Sequence, residues 1–324
     1  MPRISHTNLV VPPLVLGGNV FGWSADRAES FTVLDAYADW AESLPDTEYG
    51  PVRGMVDSAD VYSEWVPGHT GGESESIVGE WLATRGRDRL LVATKVAMLT
   101  TRPGLSADNI RAAVEDSVDR LGVDQIDLYY AHKDDPAVAV AEVMGTFTEL
   151  VEKGLVRYVA ASQYSPQRLT EALRVSAEYG LSPYVALQAN YNLMDRASYE
   201  GPLRDAVAGA GISCLTFFSL ARGFLTGKYR SGTAVESVRA GGVTAFVDGE
   251  HAARGARVLS ALDSISAEQG VPQAAVALAW LAVQPTVTAV LASARTVTQL
   301  RDLIAMTRVD LGGGVAEALT EASA

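Results

Sequence analysis

The sequence predicts one α/β domain, residues 1–324, folded as a (β/α)8 barrel of the TIM type with a long loop after the seventh strand. Three observations predict it. Eight short apolar runs of strand character recur down the chain. Segments of helical periodicity lie between them. The ends of successive runs are 27 to 41 residues apart, except for one interval of 74 residues before the last. Repeated βα units of that size close a parallel barrel.

The strands are expected at residues 14–16, 55–56, 90–93, 126–129, 156–160, 184–187, 213–217 and 287–291. Several are continuously apolar rather than alternating, which marks strands buried on both faces of a parallel sheet. Between them, Ile110, Val114, Val118 and Leu121 form a helical stripe, and Gly122 sits just past its end as a left-handed stop. Ser165 and Pro166 read as the cap and first residue of a helix carrying Leu169, Leu173 and Ala177. Pro272 opens an apolar helix over residues 273–283, and Thr296 with Gln299 forms a capping box after the last strand. Residues 223–249, inside the stretched interval, are rich in Gly, Ser and Thr and read as a loop over the C-terminal face. An open doubly wound sheet is the alternative fold. No G-x-G-x-x-G turn follows an early strand to support it.

Composition narrows the function. With 48% apolar and 20% charged residues, the chain belongs to folded globular proteins. Its longest apolar run, residues 274–283, is half of what a bilayer span of ~20 residues needs. A net charge of −13 argues against nucleic acid as a partner. The N-terminal residues hold no apolar signal core, and the single cysteine, Cys214, fits a reducing compartment, so a cytoplasmic location is expected. The oligomeric state is not fixed by the sequence, and a homo-oligomer stays open.

In a barrel of this type the active site lies at the C-terminal ends of the strands. Strand two ends in Asp57, followed by Tyr62. Strand three ends in Lys95 and strand four in His132. Each has a bland reading: a turn cap, a surface phenol, a solvated lysine, a rim histidine. The chain has four lysines and four histidines, so their meeting at adjacent strand ends weighs against coincidence. A phenol is a poor acid at neutral pH, with a pKa of ~10. A buried ammonium beside it favours the phenolate, and a carboxylate holds the ammonium charged. A neutral histidine can orient a carbonyl. The set protonates an oxygen while a hydride reaches the carbon.

These residues resemble the aldo-keto reductase family. Asp57-Ser58-Ala59-Asp60-Val61-Tyr62 is similar to its D-x-A-x-x-Y motif, and Ala93-Thr94-Lys95 to its strand-three lysine. Asp127-Leu128-Tyr129-Tyr130-Ala131-His132 resembles D-L-Y-x-x-H, and Gln188-Ala189-Asn190-Tyr191-Asn192 resembles Q-x-x-Y-N. Three further segments, around Ser162-Gln163-Tyr164, from Phe217 to Tyr229 (ending Gly223-Phe224-Leu225-Thr226-Gly227-Lys228-Tyr229) and around Ala294-Arg295-Thr296, complete the set in family order.

The resemblance implies an NADPH-dependent reductase of aldehydes or ketones. Tyr62 would be the proton donor, Lys95 would lower its pKa, Asp57 would pair with Lys95, and His132 would orient the carbonyl. It implies a cofactor site of Gly18, Asn19, Asp57, Ser162, Gln163, Gln188, Phe217, Phe218, Ser219, Leu220, Arg222, Gly223, Lys228, Ser293, Arg295 and Gln299. The long loop would cover it, and NADPH is favoured over NADH through Arg295. Trp23 and Trp65, set among Gly, Ser and Pro after strands one and two, are expected beside Tyr62 and His132 in the substrate pocket. The chain departs from the pattern at Gln163 (usually Asn), Phe217 (often Tyr), Ser219 (usually Pro) and Leu303 (often an Asn against adenine). Residues 47–54 form an insertion with no assigned role.

Two other functions compete. One is a non-catalytic NADP(H)-binding sensor subunit on the same barrel, which would need the groove but not the proton donor. The other is a lyase using Lys95 as a Schiff-base nucleophile, which ion pairing with Asp57 opposes. No metal is expected: His69, Glu73 and Glu75 lie near a loop rich in glycine. Asp134 and Asp135 read as a solvated turn.

Overall fold

Eight parallel strands are found among the described residues, which in this computed structural model are 2–233, 235 and 240–324. They are β1 (Leu14–Gly17), β2 (Gly54–Asp57), β3 (Leu90–Val96), β4 (Ile126–Ala131), β5 (Val156–Ser162), β6 (Tyr184–Asn190), β7 (Ser213–Phe217) and β8 (Val287–Ala292). Each pairs with the next, and β1 closes on β8 through Leu14–Val290 and Leu16–Ala292. All eight expected strands are present. Several run further at their C-terminal ends than their apolar runs, because there the residues turn polar as they enter the site.

The helices are α1 (Arg27–Glu42), α2 (Glu73–Arg85), α3 (Ala107–Leu121), α4 (Val140–Glu152), α5 (Pro166–Tyr179) and α6 (Pro202–Ala210). After β7 come α7 (Thr244–Val247), α8 (Ala252–Gln269), α9 (Gln273–Ala282), α10 (Val297–Ile304) and α11 (Val315–Ala322). Gly122 ends α3 in the left-handed conformation at φ 61°, as its position predicts. Ser165 caps α5 by accepting from the Arg168 N–H. Pro272 opens α9 from its cap position, as its place in the sequence predicts. One detail differs from expectation. At α10, Thr296 Oγ1 accepts from the Gln299 N–H, but the Gln299 side chain accepts from Arg295 N rather than from Thr296.

Alternation along the strands places the site. Val15, Met55, Leu91, Ala93, Leu128, Tyr130, Ala160, Ala186, Leu215, Ala289 and Leu291 fill the barrel lumen as one cluster. The neighbouring Leu14, Leu16, Val56, Val92 and Tyr129 face outward onto the helices. Two residues beyond the last lumen residue of each strand, the same parity carries Gly17, Asp57, Lys95, His132, Ser162, Gln188, Phe217 and Ser293 onto the inner face at the C-terminal mouth.

The other end of the lumen is closed by the N-terminal segment. Arg3 and Val10 bridge antiparallel, and Ile4, Leu9 and Val11 join the lumen cluster. The Ser5 N–H donates to Oγ of Ser213, the first residue of β7, at 2.9 Å. The inserted residues 47–54 turn back beside it through a Thr47–Gly50 bridge, and the Arg3 guanidinium lies 4.2 Å from the Tyr49 ring.

The segment read as a loop over residues 223–249 is partly ordered by packing. Residues 234 and 236–239 lie outside the described residues. Among the rest, α7 seats Phe246 on Phe224, with ring centroids 5.4 Å apart. A Cβ on Gly255 would fall 2.2 Å from the Phe246 carbonyl oxygen, so α8 approaches α7 only because that residue is glycine. Asp134 and Asp135 are not simply solvated: Arg168 binds Asp134 at 2.9 Å, and Asp135 accepts from the Leu105 and Ala137 N–H groups.

Candidate active site

Lys95 is the centre of the arrangement. It is fully buried, and its ammonium donates to Asp57 Oδ2 at 2.6 Å, the Ser58 carbonyl at 2.6 Å and the Tyr62 hydroxyl at 3.0 Å. Three acceptors match the three protons of an ammonium. Asp57 is satisfied from the other side, with Gln188 Nε2 donating to Oδ1 at 3.0 Å. The His132 ring meets the Tyr62 ring edge-on, with centroids 5.9 Å apart. The four residues expected to converge are therefore brought together.

Their electrostatics follow from burial and from one another. Burial works to discharge Lys95, but the charges of Asp57 and Tyr62 and the hydrogen bonds the ammonium donates to them outweigh it and hold the ammonium above its ordinary range. For Tyr62, burial raises the phenol above its ordinary value although Lys95 pulls it down. The sequence predicts a lowered phenol. The pull from Lys95 is present, but the cost of ionising inside the protein is larger. Burial, with Lys95 nearby, pushes His132 well below its usual range, so its imidazole is neutral.

A cavity of about 700 Å³ opens above these groups. Tyr62, His132, Val61, Trp65 and Met98 line one end of it. The opposite end is lined by Ser293, Arg295, Gln299, Asp302 and Leu303 around β8 and α10. Between them lie Ser162, Gln163, Gln188, Phe217, Phe218, Ser219, Leu220, Arg222, Gly223 and Lys228, all expected there. Asn19 lines it too, its Oδ1 accepting from Ser293 Oγ at 2.7 Å. Gly18 is a correction. Its N–H donates to the Asp57 carbonyl and its own carbonyl accepts from Ser74, which packs it behind the wall, and Gly17 lines the cavity instead. Trp65 is on the wall and half exposed. Trp23 stands behind it, edge-on at 5.4 Å. A second hollow of about 440 Å³ lies across Gln163, Gln188, Phe217, Phe218 and Arg222, which line both.

Several wall residues escape sequence reasoning. Val20, Ser24 and Met98 come from loops whose paths no periodicity reports, Thr226 ends a short 3-10 turn, and Asp302 stands on α10. Backbone strain is a second feature that residue types do not announce. Gln163, Phe218, Ala221 and Arg222 have φ between 48° and 58°, a left-handed conformation that non-glycine residues rarely hold. His69, Glu73 and Glu75 point to different partners. Glu75 is buried on Arg120 and Thr94, while His69 and Glu73 are 3.9 Å apart at the surface.

The residues fit a dinucleotide. Ser162 Oγ is buried at the cavity wall with no hydrogen-bond partner among the described residues, so it asks for a polar group from a ligand. In a chain of net charge −13, Arg222, Lys228 and Arg295 all line the one groove.

A family model described as "Aldo/keto reductase family" matches residues 13–323. The chain belongs to the aldo/keto reductase family. Among its relatives in that family is Protein tas of Escherichia coli (strain K12), 29% identical, with 97% of this chain and 94% of that protein covered. An uncharacterized oxidoreductase, YrpG, of Bacillus subtilis (strain 168) is 30% identical over 95% of this chain and 91% of its own length. A probable voltage-gated potassium channel subunit beta of Arabidopsis thaliana is 29% identical over 93% and 88%. Membership makes an oxidoreductase of carbonyl compounds the coarse reading of this aldo/keto reductase site.

Proposed function

We propose that the protein reduces an aldehyde or ketone to the alcohol, with Tyr62 delivering the proton to the carbonyl oxygen. The observation that carries this reading is the Lys95 ammonium held at once by Asp57 and by the Tyr62 hydroxyl, with that hydroxyl at the cavity wall. A reduced nicotinamide, when bound in the groove, would supply the hydride.

The chain's own residues have separable tasks. Tyr62 keeps its proton at neutral pH because burial disfavours the phenolate. As the phenol gives up its proton, the adjacent ammonium stabilises the charge left on oxygen. Asp57 keeps that ammonium in place. Neutral His132 offers an uncharged ring beside the carbonyl, orienting it without adding a second proton source. Ser162, Gln163 and Gln188 would hold the carboxamide end of the cofactor, Phe217 would stack on its ring, and Arg222 and Lys228 would lie along its phosphates. Arg295, exposed at the start of α10, would bind the extra phosphate of NADPH. The first-turn N–H groups of that helix support an anion there.

Substrates are small carbonyl compounds rather than nucleic acids or membranes, and the protein works in the cytoplasm as a single-domain barrel. The deciding experiment is NADPH oxidation across a panel of aldehydes and ketones, with Tyr62→Phe as control. Turnover that survives in Tyr62→Phe would remove Tyr62 from the donor role. The likeness to a potassium channel subunit beta favours a second reading, a cofactor-binding regulatory subunit. Cofactor binding without turnover of any carbonyl would support that reading instead.

A further inference from the structure

Two large apolar side chains stand exposed at the carbonyl end of the cavity. Trp65 is 47% exposed and Met98 38%. Scattered apolar residues are ordinary on a surface, but a pair on the wall of one cavity marks a face kept for a ligand. They come from different loops, Trp65 after β2 and Met98 after β3.

Each is held from behind. The Trp65 ring meets Trp23 at 5.4 Å and Tyr62 at 6.2 Å between centroids, edge-on in both cases. Gln163 Nε2 lies 3.7 Å from Met98 Sδ and donates to the His132 carbonyl at 3.0 Å. The loops are fixed at their bases as well. Ser63, at φ 77°, donates through Oγ to the Phe21 carbonyl at 2.7 Å. Ala97, at φ 111°, accepts from the Gly104 N–H at 2.9 Å. Non-glycine residues keep such angles only where their surroundings hold them. A side-chain contact joins the two loops: Glu64 accepts from the Thr100 N–H at 3.1 Å and from Thr100 Oγ1 at 2.5 Å. Glu64 precedes Trp65 by one residue, and Thr100 follows Met98 by two.

Among the described residues, the side chains at that end, Val61, Tyr62, Trp65, Met98 and His132, include no cation, since burial keeps His132 neutral. Lys95 is spent on Asp57, Ser58 and Tyr62. Arg222, Lys228 and Arg295 line the rest of the cavity.

We propose that the site takes uncharged carbonyl compounds bearing an aromatic or bulky apolar group, which packs on Trp65 and Met98, and that Glu64 is a positioning residue that sets this surface by binding Thr100. The proposal rests on the carbonyl-reductase reading. An apolar group reaching Trp65 and Met98 takes their exposed surface out of water. An anionic group there would give up its own water and find no cation in exchange. Loops already joined spare the cost of ordering both side chains on binding.

The test measures kcat/KM with NADPH for hydrocinnamaldehyde, its para-carboxylate and propanal. The native protein should prefer hydrocinnamaldehyde to the carboxylate by about tenfold or more. In Trp65→Ala the hydrocinnamaldehyde to propanal ratio should fall about tenfold, the usual worth of a small apolar change in a fitted pocket. Glu64→Ala should lower it about twofold to tenfold, because the freed side chains must be ordered again on binding. Glu64→Gln, which still accepts from Thr100, should restore it. Ratios cancel any loss of folded protein or of cofactor affinity. A carboxylate reduced as well as its parent would overturn the proposal, as would an unchanged ratio in Trp65→Ala or in Glu64→Ala. Absence of turnover with every carbonyl would sink the reductase reading instead. The surface is then tested by calorimetric binding of hydrocinnamamide, a carbonyl compound too unreactive to be reduced. It should bind the cofactor-loaded native protein more tightly than Trp65→Ala, and equal affinity would overturn the proposal.

Discussion

Gln188 Nε2 reaches across the barrel mouth to Asp57 Oδ1 at 3.0 Å, joining β6 to β2. Asp57 thereby divides its two oxygens between an amide and an ammonium. Gln188→Leu should leave a buried carboxylate oxygen without a donor. Such a loss costs about 1–3 kcal/mol, which a denaturant midpoint would read. A variant as stable as the native protein would mean that the bond contributes nothing net.

Tyr62→Phe removes the hydroxyl and keeps the ring. Turnover should fall by about 10²–10⁴, the usual worth of a positioned general acid. Cofactor affinity, followed by fluorescence quenching, should change little, because the groove residues are untouched.

The pH dependence follows from the direction of the phenol. Tyr62 is protonated below its pKa, which burial sets above the ordinary 10.0. Reduction should therefore hold through neutrality and decline only in the alkaline range. Alcohol oxidation, which needs the phenolate to accept a proton, should rise over the same range. Parallel profiles in both directions would contradict a shared Tyr62.

Asp60 gives a stability prediction with the opposite profile to an ordinary carboxylate. Unfolded, it ionises near 3.8; folded, it holds its proton to about 7. Its contribution is fully present below about pH 4 and is lost as pH rises to neutrality, at about 1.4 kcal/mol per unit between the two values. Unfolding free energies of Asp60→Asn should lack that part of the slope. An identical slope in the variant would show that Asp60 ionises normally.

Arg295→Ala should weaken NADPH binding more than NADH binding. One charge-assisted contact is worth about 1.5–3 kcal/mol, roughly ten- to a hundredfold in affinity. Asp302 lines the same end of the cavity, and its negative charge opposes a phosphate there. The lower end of that range is therefore expected, and Asp302→Asn should raise the preference for NADPH. Equal losses for both cofactors in Arg295→Ala would show that Arg295 does not read the phosphate.

The barrel was legible because strand burial leaves a local mark. Runs such as residues 90–93 must be apolar on both faces, and their spacing repeats. The convergence of Asp57, Tyr62, Lys95 and His132 was legible for the same reason, since strand parity carries side chains onto the lumen face without any need to know the loops. What escaped depends on long-range packing. The wall positions of Ser24 and Met98 depend on loop paths, and that of Asp302 on how α10 is turned over the mouth. Gly18 lies one residue past Gly17, and in an extended segment one residue separates the wall from the layer behind it. The direction of the Tyr62 phenol is not legible in the sequence, because motif residues name its charged neighbours but not the depth of its burial.

Cys214 sits on β7 with no exposed surface, and burial pushes its thiol up to about 12. Since it is the only cysteine, the protein offers thiol-directed reagents almost no thiolate at neutral pH. A cysteine introduced at Ser24, on the cavity rim and away from Lys95, would then be the one reactive sulfur in the molecule. A fluorophore attached there would respond to filling of the groove without a background to subtract, so ligand binding could be followed separately from any chemistry.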